Sequence, residues 1–293
     1  INASAMSFFD FRIPGLTLQV VSADGRELRP VSVDELRIAP AETYDVIVTP
    51  GTAEAYSVVA EAIDRSGLAL ATLAVREGLR GPLPQQRPRA ELTMADMGMA
   101  HTGMNHGAPT AGTEHDAHQG HGDQPPAPDS TASGWARAGT PPGLRALSYA
   151  DLVSRHPQPD TRAPTRDIVI RLTGNMERYA WTLDGKPEHE ATPWRLREGE
   201  RVRLTFVNET MMAHPMHLHG MFVQLENGQA PASQPDKHTV IAPPGRSVAV
   251  LLSASEPGEW ALHCHLLYHM ASGMMGKVVV ARAGTEAATG DHS

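Results

Sequence analysis

Cysteine is almost absent: the chain has a single one, Cys264, in 293 residues. An intrachain disulfide is therefore excluded, and the thiol is either a small buried hydrophobe or a thiolate with a task. Long apolar runs are absent too. None approaches the roughly 18–20 residues that a helix needs to cross a bilayer, so no membrane-spanning helix is expected. A basic excess is also lacking. The formal net charge of -8 argues against a general nucleic-acid-binding role, and acidity this mild reads as a solubility feature. No signal peptide is visible. There is no initiator Met either: the chain opens with INASAMSFFDFRIPG, which reads like the middle of a strand pair. The expectation is a truncation, with any targeting sequence upstream.

Proline (24) and glycine (26) are plentiful, and the strong segments are short and strand-like. This pattern predicts an all-β fold of sandwich type with many turns. The length suits about two domains. Residues 1–90 hold LTLQVVSADG (16–25), with a turn at Asp24-Gly25, ETYDVIVTPG (42–51), AYSVVAEAID (55–64) and LALATLAV (68–75). They read as a partial sandwich whose first strands are missing. Residues 91–165 form an insert and connector. Within them 94–128 has almost no aliphatic residues and neither a helical nor a strand period, so it cannot order itself alone. Residues 129–163 read as a polar connector with a short helix near 143–155. Residues 166–283 read as a second, Greek-key sandwich. Its strands are DIVIRLTG (167–174), the segment around YAWTLDG (179–185), RVRLTFVNE (201–209), GMFVQLEN (220–227), SVAVLLSA (247–254), EWALHCH (259–265) and GKVVVA (276–281). Residues 284–293 are a loose tail.

Fifteen His and 13 Met surround the lone thiol. In HCH (263–265), strand geometry turns His263 and His265 to one face and Cys264 to the other. Two metal sites can then flank one strand, joined through the peptide. Cys264, His263 and His265 would form a wire for one electron. His269 and Met274 follow in the next loop. Cys264, a loop His and a second His make a His₂Cys set, and Met274 would add a weak axial thioether; such a set is the blue-copper electron-transfer site. The second His is best sought in HPMHLHG (214–220), where His214 stands apart and His217 and His219 share a face if extended. A lone HxH pair or a lone buried Cys is more often structural than functional. The joint pattern HxxHxHG followed by HCHxxxHxxxxM, in one β domain, is what points to metal. His156, His189, His238 and His292 read as surface or structural.

These two segments resemble the third and fourth copper-binding motifs of the multicopper oxidase family. That resemblance implies cupredoxin-like Greek-key β-sandwich domains and oxidation of a substrate one electron at a time. Dioxygen would be reduced to water at a trinuclear copper cluster. It implies four coppers in the intact enzyme: type 1, type 2 and a binuclear type 3 pair. His214, Cys264 and His269 would bind type 1, with Met274 axial. His217 would bind type 2, and His219, His263 and His265 would bind type 3. The family pattern also needs two HxH motifs from an N-terminal cupredoxin domain. No HxH occurs here outside the two segments, so that domain is expected to be missing from this chain.

INASAMSFFDFRIPG, PAETYDVIVTP, GNMERYAWTLDGK and the Met/His-rich insert are similar to the copper-resistance protein A group of bacterial periplasms. This implies an exported, periplasmic enzyme of copper resistance, with Cu(I) or another small reductant and dioxygen as its partners. In the insert, Met94, Met97, Met99 and Met104 offer soft thioethers for Cu(I). His101, His106, His115, His118 and His121 offer imidazoles for Cu(II). The alternative is a solvated linker. Some copper-oxidising relatives carry an acidic residue after the distal type 1 His; Met270 stands there instead. An electron is expected to enter at an exposed ring edge of His269. A laccase-like phenol oxidase and a non-catalytic copper-binding or sequestering protein are the rival readings.

Overall fold

The computed structural model describes residues 1–90, 133–175 and 177–282. Its N-terminal part is made of β1 (Phe9–Arg12), β2 (Leu18–Ala23), β3 (Arg26–Val33), β4 (Glu35–Ile38), β5 (Tyr44–Ile47), β6 (Ala55–Ala62) and β7 (Leu68–Ala74). A four-stranded sheet in the order β4-β1-β6-β7 faces a three-stranded sheet, β3-β2-β5. Leu18, Val20, Leu28, Leu36 and Ile38 fill the space between them. Asp24 and Gly25 take φ of 49° and 73°. Two positive-φ residues are what a two-residue hairpin needs to match the twist of its strands, so the Asp-Gly turn joins β2 to β3 as the sequence suggests.

The C-terminal part follows a short helix, α1 (Ser133–Arg137). It comprises β8 (Arg166–Asn175), β9 (Ala180–Leu183), β10 (Trp194–Arg197), β11 (Arg201–Asn208), β12 (His214–Leu218), β13 (Val223–Leu225), β14 (Asp236–Lys237), β15 (Thr239–Ala242), β16 (Ser247–Ser253), β17 (Gly258–Cys264), a second helix α2 (Leu267–Ala271) and β18 (Met275–Ala281). A six-stranded sheet, β14-β13-β16-β11-β8-β9, packs on a five-stranded one, β10-β18-β17-β12-β15. Ile170, Leu172, Val202, Leu204, Leu262 and Val278 belong to the core between them. β11 and β16 are both buried along nearly their whole length; β16 reads in sequence as a continuous apolar run, whereas β11 alternates and buries Arg201, Thr205 and Asn208 as well.

Two expectations are corrected here. The segment 129–163 is not a polar connector where it is described: Trp135, Ala146, Leu147 and Leu152 are all buried. Leu147 and Leu152 complete the N-terminal core, and Trp135 joins the C-terminal one. They are spaced without a helical or strand period, which hid them. The helix expected near 143–155 is a single 3-10 turn, Tyr149–Asp151, capped by Ser148.

The two parts meet at a buried ionic centre. Lys237, at the end of β14, is fully buried; its Nζ lies 3.0 Å from Asp24 Oδ2 and 3.1 Å from Glu42 Oε1, both carboxylates being buried as well. Asp24 also accepts from the backbone N–H groups of Thr43, His238 and Thr239 at 3.0, 3.1 and 3.2 Å. Glu42 accepts from the Tyr149 and Tyr44 hydroxyls at 2.6 and 3.2 Å and from Ala39 N–H at 2.9 Å. A buried charge is tolerated only when paired and hydrogen-bonded, and each of these three carries both kinds of partner or shares them.

Candidate metal centre

β12 pairs antiparallel with β17 in the register Met216↔Cys264, His217↔His263, Leu218↔Leu262. Residues directly opposite share a face of the sheet, and neighbours along a strand alternate. His214, Met216 and Cys264 therefore turn into the sandwich core. His217, His219, His263 and His265 turn to the other face. The register alone divides the candidate ligands into two sets.

On the core face, three donors converge. Cys264 Sγ lies 3.7 Å from His214 Nδ1 and 3.9 Å from His269 Nδ1, and the two Nδ1 atoms are 3.2 Å apart. All three residues are fully buried. His269 sits on α2 rather than in an open loop; the short turn brings it back over Cys264. Met274 is fully buried in the same core. Its backbone ties the loop shut: Cys264 N–H donates to Met274 O at 3.1 Å, and Met274 N–H donates to His269 O at 3.0 Å.

The tautomers follow from the hydrogen bonds. Asn208 Nδ2 donates to the carbonyls of Met212, Ala242 and Pro243. Its Oδ1 therefore accepts, taking the Thr210 hydroxyl at 2.8 Å. Thr210 Oγ1 is then free to accept from His214 Nε2, 2.7 Å away. That leaves His214 Nδ1 as a bare lone pair aimed at the thiol. Burial, with His269 beside it, brings the pKa of His214 down to about 3. Burial alone brings that of His269 down to about 4. Both rings are thus neutral at any physiological pH, with a lone pair available to a cation. Burial also pushes the Cys264 thiol well up, so a cation must displace its proton before the thiolate forms. One soft thiolate with two imidazoles is a donor set that suits copper.

On the opposite face His217, His219 and His263 offer nitrogens that also lie within 4.8 Å of one another. His217 Nδ1–H donates to the His238 carbonyl at 2.9 Å, with Thr239 Oγ1 at 3.0 Å. His263 Nδ1–H donates to the Cys264 carbonyl at 3.0 Å. Both rings therefore present Nε2 to the shared space, and His219 Nε2 faces His263 Nε2 at 3.1 Å. His265 lies beside them, its ring 5.5 Å from those of His217 and His263, with Nδ1 buried and unpaired. Burial first, then His238 and His263, hold His217 down at about 4. His263 and His265 are lowered as well, chiefly by burial.

Residues 94–121, with the Met and His singled out there, lie outside the described residues. One expectation fails: His269 has no exposed edge. It is 0 % exposed, because the Trp181 indole stacks on it at 3.8 Å between ring centres and 17° between planes. The sequence marks Trp181 only as a strand residue and Asp24 only as a turn residue, and it gives no role to Thr210, Asn208 or Lys237. It left His238 as structural, whereas the His238 carbonyl orients His217. Trp181, Asp24 and Lys237 meet their partners from distant segments, which no local signal marks; Thr210 is local to Asn208 and His214, but a hydroxyl at that spacing forms no recognisable pattern.

Two family models, both described as multicopper oxidase, match residues 1–78 and 161–284. A copper resistance protein A homolog from Pseudomonas syringae pv. tomato is 43 % identical, over 96 % of this chain and 53 % of its own length. Copper resistance protein A of Escherichia coli is 42 % identical, over 96 % of this chain and 54 % of its own length. The chain thus spans about half the length of the curated relatives it matches. Among solved structures, Fet3p, a multicopper oxidase that functions in iron import, superposes with a TM-score of 0.65 at 14 % identity, over 96 % of this chain and 54 % of that one; at such identity the likeness concerns the fold, here a cupredoxin-like sandwich. Matched at both ends by the same description, the chain belongs to the multicopper oxidase family, whose cofactor is copper.

Proposed function

We propose that this chain supplies the electron-accepting copper site and part of the dioxygen-reducing site of an exported, periplasmic oxidase that protects against copper, with Cu(I) as the reductant. The observation that carries the reading is the β12–β17 register. It sets a His₂Cys cluster on one face and a four-histidine group on the other, with Cys264 covalently joined to His263 and His265. His214, Cys264 and His269 would hold type 1 copper with Met274 as axial thioether. His217 would hold type 2 copper, and His219, His263 and His265 would hold the type 3 pair. Bound copper supplies one-electron redox cycling and the capacity to reduce dioxygen.

The remaining work belongs to the protein. Thr210 holds His214 in the tautomer that leaves Nδ1 bare, and the His238 carbonyl does the same for Nε2 of His217. Partners of this kind orient ligands and raise their basicity. The sandwich core keeps water from the thiolate side, where Cys264, His214 and His269 are fully buried. The peptide from Cys264 to its two neighbours is the shortest covalent path from one face of the sheet to the other. The rest of the trinuclear ligand set would come from a further cupredoxin domain, since the sequence has no other HxH motif. The copper resistance names of the similar relatives favour Cu(I) over a phenol as reductant.

The same dependence on a further domain favours a second reading, a copper-binding module without oxidase activity. Optical and EPR spectra of the copper-loaded chain, with copper counted per protein, test the proposal. The expected result is an intense blue thiolate-to-copper band that disappears in Cys264→Ser. Copper bound with no such band would overturn the His₂Cys assignment and leave a copper-binding protein.

A further inference from the structure

His269 is sealed, yet an electron must reach it. Its ring is 0 % exposed and its Nε2 is buried with no hydrogen-bond partner. Over it lies Trp181, stacked at 3.8 Å and itself 2 % exposed. The same indole meets the His214 ring edge-on at 5.3 Å, so one side chain contacts both imidazoles of the cluster. Gly174, opposite Trp181 on β8, makes room for it: a Cβ there would sit 2.3 Å from the indole.

Beyond Trp181 stands Tyr179, at the tip of the β8–β9 hairpin. Its ring lies 6.1 Å from the Trp181 ring and 6.3 Å from that of His269, edge-on to both. It is 40 % exposed. Its φ of 47° is a left-handed conformation that a bulky L side chain avoids. The hairpin thus holds an aromatic ring at the surface, against both members of the stack, at a backbone cost that a solvated loop would shed.

We propose that Tyr179 and Trp181 form the electron entry of this site, a two-ring relay from solvent to His269, and that a small one-electron donor such as a cuprous complex docks at Tyr179. The inference rests on the type 1 reading of His214, Cys264 and His269. One electron leaves the donor, Cu(I) becoming Cu(II), and one electron arrives at the type 1 site. The two rings lend orbital overlap, and neither is oxidised nor gives up a proton. Trp181 and Tyr179 are positioning and relay residues; neither is a ligand.

The test is anaerobic stopped-flow bleaching of the blue band in the copper-loaded chain, with hexacyanoferrate(II) and with a Cu(I) complex as donors. Blue-band intensity and type 1 potential are measured on the same samples. Tyr179→Ala and Trp181→Leu should slow bleaching about tenfold or more, equivalent to about 1.4 kcal/mol in barrier, with the potential of Tyr179→Ala unchanged. Tyr179→Phe, which keeps the ring, should retain the parent rate. Tyr179 is half exposed and touches no ligand bond, so its variants should fold even if Trp181→Leu does not. An unchanged or faster rate in Tyr179→Ala overturns the relay and makes the cap a shield. A parent protein without a blue band fails earlier and separately, at the type 1 reading itself.

Discussion

Lys237→Met removes the ammonium from the ionic centre between the two parts of the chain. The methionine fills a similar volume, so the loss is electrostatic. Asp24 and Glu42 would remain fully buried, without the ammonium that lies 3.0 and 3.1 Å from them. Removing one partner of a buried pair costs about 3–5 kcal/mol. The lower end is expected here, because Asp24 keeps three backbone N–H donors and Glu42 keeps two hydroxyls and one N–H. The pH dependence should change sign. In the parent protein, burial pushes Asp24 upward, but the Lys237 ammonium, with His238 and its hydrogen bonds, outweighs it and leaves the carboxyl below its ordinary value. Its stabilisation is therefore complete above the unfolded pKa of about 3.9 and fades as pH falls through the lower folded value. Without Lys237 burial dominates, the folded pKa rises above the unfolded one, and stability improves as acid neutralises the carboxyl. Urea denaturation at neutral pH and at about pH 5, followed by near-ultraviolet circular dichroism, reads both effects. Asp24→Asn in the Lys237→Met background should recover part of the loss, and a double-mutant cycle gives the coupling. Near-parent stability of Lys237→Met, or an unchanged acid response, would refute the reasoning.

Thr210→Val keeps the shape but deletes the acceptor for His214 Nε2. Copper affinity at the His₂Cys site should fall about 10–100-fold, the usual effect of losing such a partner, in a competition titration followed at the blue band; equal affinity would mean that the hydroxyl does not set the tautomer. Met274→Leu should raise the type 1 reduction potential by removing the axial thioether. Redox titration measures this, and an unmoved potential would remove Met274 from the ligand set.

Much of the site was legible because its motifs obey the strand period. HCH read as an extended segment divides its side chains correctly, and the HPMHLHG strand is short enough for the same rule to hold over its whole length. Of the strands that carry the central core, β16 is visible as an apolar run and β11 as an alternating segment. The misreadings have a common cause. Sequence shows what is near along the chain, whereas Trp181 reaches His269 only because β9 lies beside α2, and Asp24 reaches Lys237 across the join between two sandwiches. The buried state of His269 could not be read from its neighbours Tyr268 and Met270, since the cover comes from a hairpin some ninety residues earlier in the fold, at Tyr179 and Trp181. Trp135, Leu147 and Leu152 were missed because they anchor irregular backbone, where no period exists to recognise.

The β12–β17 register also carries a rule of parity. His214 and His217 differ by an odd number of positions and so fall on opposite sides of the pleat; His217 and His219, like His263 and His265, differ by an even number and stay together. A single residue inserted between His214 and His217 would bring both to one face without altering any donor's chemistry, and a one-step slip between β12 and β17 would carry every β12 donor across the sheet. The chain can therefore accept length changes in the turns around Gly220 or Glu256 far more readily than within either five- or seven-residue strand. In this fold the division of the candidate donors is stored as counting, modulo two, and the thiol between two imidazoles is the smallest segment of protein that can address both sides of a sheet at once.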